Sequence, residues 1–184
     1  MENKPKLEKP EAVFEGIKLS DYENVGADFS EWLGAHEIPD ILWDRMKDCD
    51  PASTVRELLD VIQAALTDMH RTRKEHPASF AESRFTPVAE MIERGMVSCG
   101  AIATIFGNVL RRFGIPTKFV HGKLESQKEK NHRHSWLEIY NPLDESWVEV
   151  DATRDGFKLP PDAQLIKKYH DWQELKNDFD RGDY

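Results

Sequence analysis

The chain is poor in cysteine and in net basic charge and has no long apolar run, and each shortage narrows what it can be. Its 184 residues hold only two cysteines, Cys49 and Cys99, too few for a disulfide-stapled scaffold. Lysine and arginine number 25 against 34 aspartates and glutamates, a formal charge of −9, so nothing in the balance would neutralise a phosphate backbone and nucleic acid is excluded as an expected partner. No run is long enough to cross a bilayer, and residues 1–10, rich in Lys, Glu and Pro, lack the apolar stretch of a secretory signal. The chain therefore reads as cytoplasmic, with no membrane partner; Cys49 and Cys99 could form one bridge, but a reducing compartment favours two free thiols. There is no acidic loop of the EF-hand type, no internal repeat and no low-complexity block. Cys99, His121, His132 and His134 match no common zinc spacing, so neither metal nor cofactor is expected.

What remains is a composition with 39% hydrophobic residues, enough to bury one core and consistent with a single domain over 1–184. Residues 1–50 read as an irregular, short-helix extension that packs through Phe14, Tyr22, Phe29 and Trp32. Asp50 before Pro51 looks like a helix cap, and Val55, Leu58, Leu59, Ile62 and Leu66 recur at helical spacing, predicting a helix over 51–73. Thr86 and Pro87 open a short helix through Met91 and Ile92, which Gly95 ends. A third helix runs over 99–113 behind Ser98. Its apolar stripe is Ile102, Ala103, Phe106, Val109, Leu110 and Phe113, with Arg111 and Arg112 complementing the dipole before Gly114 stops it. This is the most apolar helix and is expected to be the most buried. Residues 117–124, 135–140 and 147–150 are short, branched or aromatic and read as consecutive antiparallel strands. A polar connection and a last amphipathic helix, through Tyr169, Trp172, Leu175 and Phe179, complete residues 156–184. Helices first and strands afterwards indicate an α+β class, with a core over 51–155.

Cys99 stands in the first turn of the apolar helix, where unpaired N–H groups and the dipole favour a thiolate. On composition alone a buried structural cysteine is the commoner role. A general base could come from His132 or His134, separated by one residue and so on one face of a strand, and alternation does not choose between them. Asp151, ending the strand 147–150, could orient the imidazole, although such an Asp more often begins a turn. Cys49 has no base in any recognisable register and reads as inert. The charged stretch 125–130 reads as a solvated hairpin loop, and Arg181-Gly182-Asp183 as a chance tripeptide.

Taken together, GMVSCG at 95–100, LRRFGIP at the end of the helix, Val120-His121-Gly122, His134-Ser135-Trp136 and Trp147-Val148-Glu149-Val150-Asp151-Ala152-Thr153 resemble the transglutaminase-like superfamily over roughly 86–154. The resemblance implies a papain-like core, in which the central helix carrying the Cys packs on an antiparallel sheet carrying the His and the Asp. It selects His134 over His132 and implies a catalytic triad of Cys99, His134 and Asp151, with Trp136 shielding the pair or contacting substrate. Gly100 stands where the animal transglutaminases have tryptophan, and Ala152 where proline is frequent, so the substrate preference of those enzymes does not carry over.

The expectation is a thiol-dependent acyl-transfer enzyme acting on a peptide, protein or small amide. A Cys99 thioester would be resolved by water, as in a protease or amidase, or by an amine, as in a transglutaminase. The competing expectation is a protein-binding module that keeps the fold without turnover. The backbone N–H of Cys99 is one oxyanion donor, and the sequence leaves open the second donor, the oligomeric state and whether residues before Asp50 cover the cleft.

Overall fold

The structure, a computed structural model, describes residues 14–23, 25, 38–71, 86–125, 132–159, 164–169, 177 and 181. Among these, a 3-10 turn at Leu19–Tyr22 precedes helices α1 (Asp40–Trp43), α2 (Val55–Arg71), α3 (Val88–Glu93) and α4 (Cys99–Arg112). Strands β1 (Thr117–Glu125), β2 (His132–Asn141), β3 (Ser146–Val150) and β4 (Gln164–Tyr169) follow. The strands form one antiparallel sheet in the order β3-β2-β1-β4. The α+β architecture is thus the expected one, with the helices supplied before the sheet.

The helix ends show where local chemistry decides. At α2 the cap is not Asp50. Asp50 closes a turn, accepting from Ala52 N at its Oδ1 and from Ser53 N at its carbonyl. The helix is opened instead by a capping box, in which Glu57 N donates to Thr54 Oγ1 at 3.2 Å and Thr54 N donates to Glu57 Oε2 at 2.7 Å. Pro87 rather than Thr86 occupies the cap position of α3, and Gly95 ends that turn with a φ of 65°. Ser98 caps α4 by accepting from Ala101 N, Arg111 and Arg112 lie in its last turn, and Gly114 leaves the helix at a φ of 78°.

Helix α4 is buried on more sides than the single stripe implied, because Thr104, Ile105 and Asn108 are inside as well. It lies between α2 and α3 on one side and the sheet on the other. The main core joins it to Leu58, Leu59 and Ile62 of α2, to Met91 of α3 and to Leu137, Ile139 and Val150 of the sheet. Val120 and Trp136, on the alternate phase of β1 and β2, form a small separate cluster with Leu159 on the far face. The N-terminal segment packs as expected through Phe14 and Tyr22, and Tyr22 Oη donates to the Tyr140 carbonyl at 2.7 Å. Tyr140 is six residues along β2 from His134, about 20 Å in an extended strand. Phe29 and Trp32 lie outside the described residues.

The C-terminal region departs from expectation. Residues 164–169 are not a polar connection leading into a helix but an edge strand paired to β1, with Tyr169 opposite His121. Trp172, Leu175 and Phe179 lie outside the described residues, as do 72–73, 126–131 and 182–183. Phe157, in the supposed polar connection, is buried in the main core.

Candidate active site

The lengths of α4 and β1 place the site. The 14 residues of α4 rise about 20 Å at 1.5 Å each. After the turn at Gly114, Arg111 Nε donates to the Thr117 carbonyl, fixing the start of β1 beneath the C-terminus of the helix. A strand covers 20 Å in about six residues. The N-terminus of α4, with Cys99 at its first position, therefore lies toward the far end of β1 from Thr117, where Ser135 of β2, the partner of His121, hydrogen-bonds to the Cys99 thiol.

Strand β2 outruns its neighbour on this side. Pairing with β3 stops at Leu137 and Val150, so β2 before Leu137 runs on past the end of that pairing. Continuing the register by one residue would set Asp151 opposite Trp136, on the same face as His134 and diagonal to it. The side chains close that diagonal: His134 Nε2–H donates to Asp151 Oδ2 at 2.8 Å. Asp151 is fully buried, and its other oxygen accepts from Thr153 N at 3.0 Å and Thr153 Oγ1 at 2.6 Å. The half-exposed Arg154 approaches Oδ2 at 3.1 Å. Asp151 N donates to the Phe157 carbonyl, and the Phe157 ring meets Phe106 of α4 edge-on at 6.2 Å. The carboxylate is thereby tied to the helix that carries the cysteine. Phe157 holds a φ of 56°, left-handed for a bulky residue, a conformation that persists only where packing enforces it.

With Nε2 committed to Asp151, the hydrogen bond between His134 and the Cys99 thiol falls to Nδ1. Burial pushes the Cys99 thiol up, but the hydrogen bond and charge of His134 and two hydrogen bonds from Ser135 outweigh it, and the thiol ends below its ordinary value. Burial likewise pushes His134 down, and its bonds and charge pairing with Asp151 and Cys99 reverse that, raising it to about 9. Burial raises Asp151, and His134 together with Thr153 holds it below the usual carboxylate range. The three groups favour a thiolate–imidazolium pair backed by an ionised carboxylate.

Cys99, His134 and Asp151 are thus brought into one chain of hydrogen bonds. His132 opens β2 opposite Leu124. Trp136 stacks beside His134 at 6.2 Å and 18° and is completely buried. Cys49 is a free thiol on the main core, pushed up by burial and further by Asp48 and Glu57. Among the described residues no group of three or more His, Cys, Asp or Glu could hold a metal ion. No helix of those residues is long and apolar enough to cross a membrane. The sequence reading named His121 and Ser135 within its motifs but assigned neither a role beside the Cys99 thiol. Both are buried, with His121 Nδ1 at 2.8 Å from Ser135 Oγ, and Ser135 turns its backbone N–H and hydroxyl to the Cys99 sulfur.

A thiol at a helix N-terminus facing an imidazole–carboxylate pair on an antiparallel sheet defines the papain-like class of folds. Within it, the family model of the transglutaminase-like superfamily matches residues 49–152, more than half of the chain, and the chain belongs to that superfamily. In fold it is similar to the solved structure of a proposed cysteine protease from Cytophaga hutchinsonii. That likeness has 16% sequence identity and a TM-score of 0.52, and covers 79% of this chain and 46% of that one. The chain thus spans less than half the length of that neighbour. No curated protein matches the sequence.

Proposed function

We propose that the protein is a thiol-dependent acyl-transfer enzyme in which Cys99, His134 and Asp151 act as a triad. The observation that carries this reading is the unbroken chain from sulfur to imidazole to carboxylate, with the thiol lowered and the imidazole raised. The thiolate attacks the carbonyl carbon of an amide, and the carbonyl oxygen becomes an oxyanion. The backbone N–H of Cys99, in a first turn that offers it no intrahelical acceptor, is a natural donor to that oxygen. The tetrahedral carbon then expels the amine, which takes the proton from His134 Nδ1, and leaves a Cys99 thioester. Asp151 keeps the ring oriented and stabilises the imidazolium throughout. A second acceptor gives its proton to the neutral His134, attacks the thioester and releases Cys99.

We favour water as that acceptor, and a peptide, protein or small amide as substrate, which makes the protein a protease or amidase. Two free thiols suit a cytoplasmic setting. Because the natural substrate is unidentified, the test uses p-nitrophenyl acetate, an activated acyl donor, with and without a primary amine. The expected result is p-nitrophenolate release with acetyl on Cys99, visible by peptide mass spectrometry and absent in Cys99→Ala, which stays folded. Product appearing as acetate in the presence of amine supports hydrolysis, and acetylated amine supports transamidation. Equal release by wild type and Cys99→Ala, with no acyl group on Cys99, would sink the proposal in favour of a binding module.

A further inference from the structure

Ser135 directly follows His134, yet it lies on the opposite phase of β2, across from His121 of β1. Both side chains are almost fully buried, at 1% and 3% exposure, and the His121 Nδ1 to Ser135 Oγ distance is 2.8 Å. A serine hydroxyl has one proton to give. If it points at Nδ1 of His121, it has none for sulfur. If Nδ1 carries its own proton, that N–H satisfies the serine oxygen and the hydroxyl proton is left for Cys99, the other partner of the Ser135 side chain.

We propose that His121 and Ser135 are positioning residues forming a second arm of the site, in which the Nδ1–H of His121 directs the Ser135 hydroxyl at the Cys99 sulfur. The proposal rests on Cys99 being the nucleophile. The arm exchanges no proton during the reaction. The thiol proton still passes to His134, and the second arm supplies two donors to the thiolate, the Ser135 hydroxyl and the Ser135 N–H. That N–H is on the stretch of β2 that runs past the last β3 pair, Leu137 with Val150. Sulfur is thus held from two directions, by the imidazolium and by β2 itself. The thiolate is thereby held in place up to its attack on the carbonyl carbon; when the imidazolium later gives its proton to the departing amine, the sulfur is already bonded to that carbon. A hydrogen bond to an ionised group is worth enough to move its titration by about one unit.

The test is the pH profile of Cys99 alkylation by iodoacetamide in the full chain, read by peptide mass spectrometry with Cys49 as internal reference. Ser135→Ala is expected to raise the Cys99 midpoint by about one pH unit, and so to slow the reaction about tenfold below it. His121→Phe should shift it the same way. His121→Asn, whose amide N–H lies close to where Nδ1–H was, and Ser135→Thr should keep the wild-type midpoint. A merely structural role would alter melting temperature without separating the conservative from the disruptive variants. An unshifted midpoint in Ser135→Ala overturns the arm. So does a His121→Asn profile that matches His121→Phe. Should His121→Phe fail to fold, Ser135→Ala, which removes one oxygen, decides. If the low midpoint is lost in His134→Ala but kept in Ser135→Ala, only the arm fails. If wild-type Cys99 titrates like Cys49, the nucleophile reading fails and takes the arm with it.

Discussion

Replacing Asp151 by asparagine changes one atom and tests the electrostatics of the whole site. Oδ1 of Asp151 accepts from Thr153 N and Thr153 Oγ1, while Oδ2 accepts from His134 Nε2. An amide has a single acceptor oxygen, and the fixed backbone N–H of Thr153 claims it. The NH₂ then faces Nε2 of His134 and needs an acceptor there, which forces the ring proton onto Nδ1, where the base must be free. The lost charge-assisted bond is worth about 1.5–3 kcal/mol, or about one to two units of imidazole basicity. His134, raised to about 9 in the native site, should fall by that amount. Proton transfer from Cys99 to His134 then becomes about 10- to 100-fold less favourable, and iodoacetamide alkylation of Cys99 at neutral pH should slow by up to the same factor. Acyl transfer, which also needs the correct tautomer, should fall further, by about 10⁴-fold as tautomer-reversing triad changes do. Circular dichroism establishes that the variant is folded. An alkylation rate within twofold of wild type in the folded variant would refute the reasoning.

The rate of acyl transfer in the wild type should be bell-shaped in pH. On the acid side Cys99 regains its proton, at a midpoint below the ordinary thiol value because its pKa is lowered. On the alkaline side the imidazolium loses its proton near 9, leaving no acid for the amine. A single sigmoid from steady-state rates would contradict this. Thr54→Ala removes one half of the α2 capping box and should cost about 1 kcal/mol in urea unfolding with no change in the slope. Phe106→Ala empties a fully packed position on α4 that also supports Phe157, and should cost about 3–5 kcal/mol, read by the same assay.

Much of the frame was legible because its signals are local. Ser98, the two arginines and Gly114 mark both ends of α4, and the branched and aromatic residues of β1, β2 and β3 announce themselves. Strand β4 was not legible, since its six residues QLIKKY carry two lysines and no clean alternation. It is a strand because β1 offers it an edge, a tertiary fact. The start of α2 was misassigned to Asp50 although Thr54 and Glu57 carry the capping-box pattern, because Asp-Pro serves a turn as readily as a helix. In the site, alternation could not separate His132 from His134. The position of His134 relative to the end of β3 puts it on the diagonal to Asp151, and a register is invisible before strands pair. The same holds for His121 and Ser135, whose opposition depends on the length of the β1–β2 connection.

The two cysteines offer a measure of how much the fold does to a thiol. Burial acts on both in the same direction, raising them, so burial cannot account for a difference between them. At Cys49 the neighbouring charges, Asp48 and Glu57, add to the burial effect. At Cys99 the neighbours are donors and a cation, and they reverse it. A limiting amount of iodoacetamide at neutral pH should therefore label Cys99 at least about tenfold faster than Cys49, a ratio set by the larger thiolate fraction of the lowered thiol over the raised one. In concentrated urea the sheet that delivers His134 and Ser135 is gone, both thiols return to about 8.5, and the ratio should approach one. Followed through the unfolding transition, the ratio should collapse together with the circular dichroism signal, since the selectivity belongs to β2 and α4 meeting rather than to the sequence around either cysteine. Selectivity that survived in urea would place its origin in the local residues Ser98 and Gly100 and remove the sheet from the explanation.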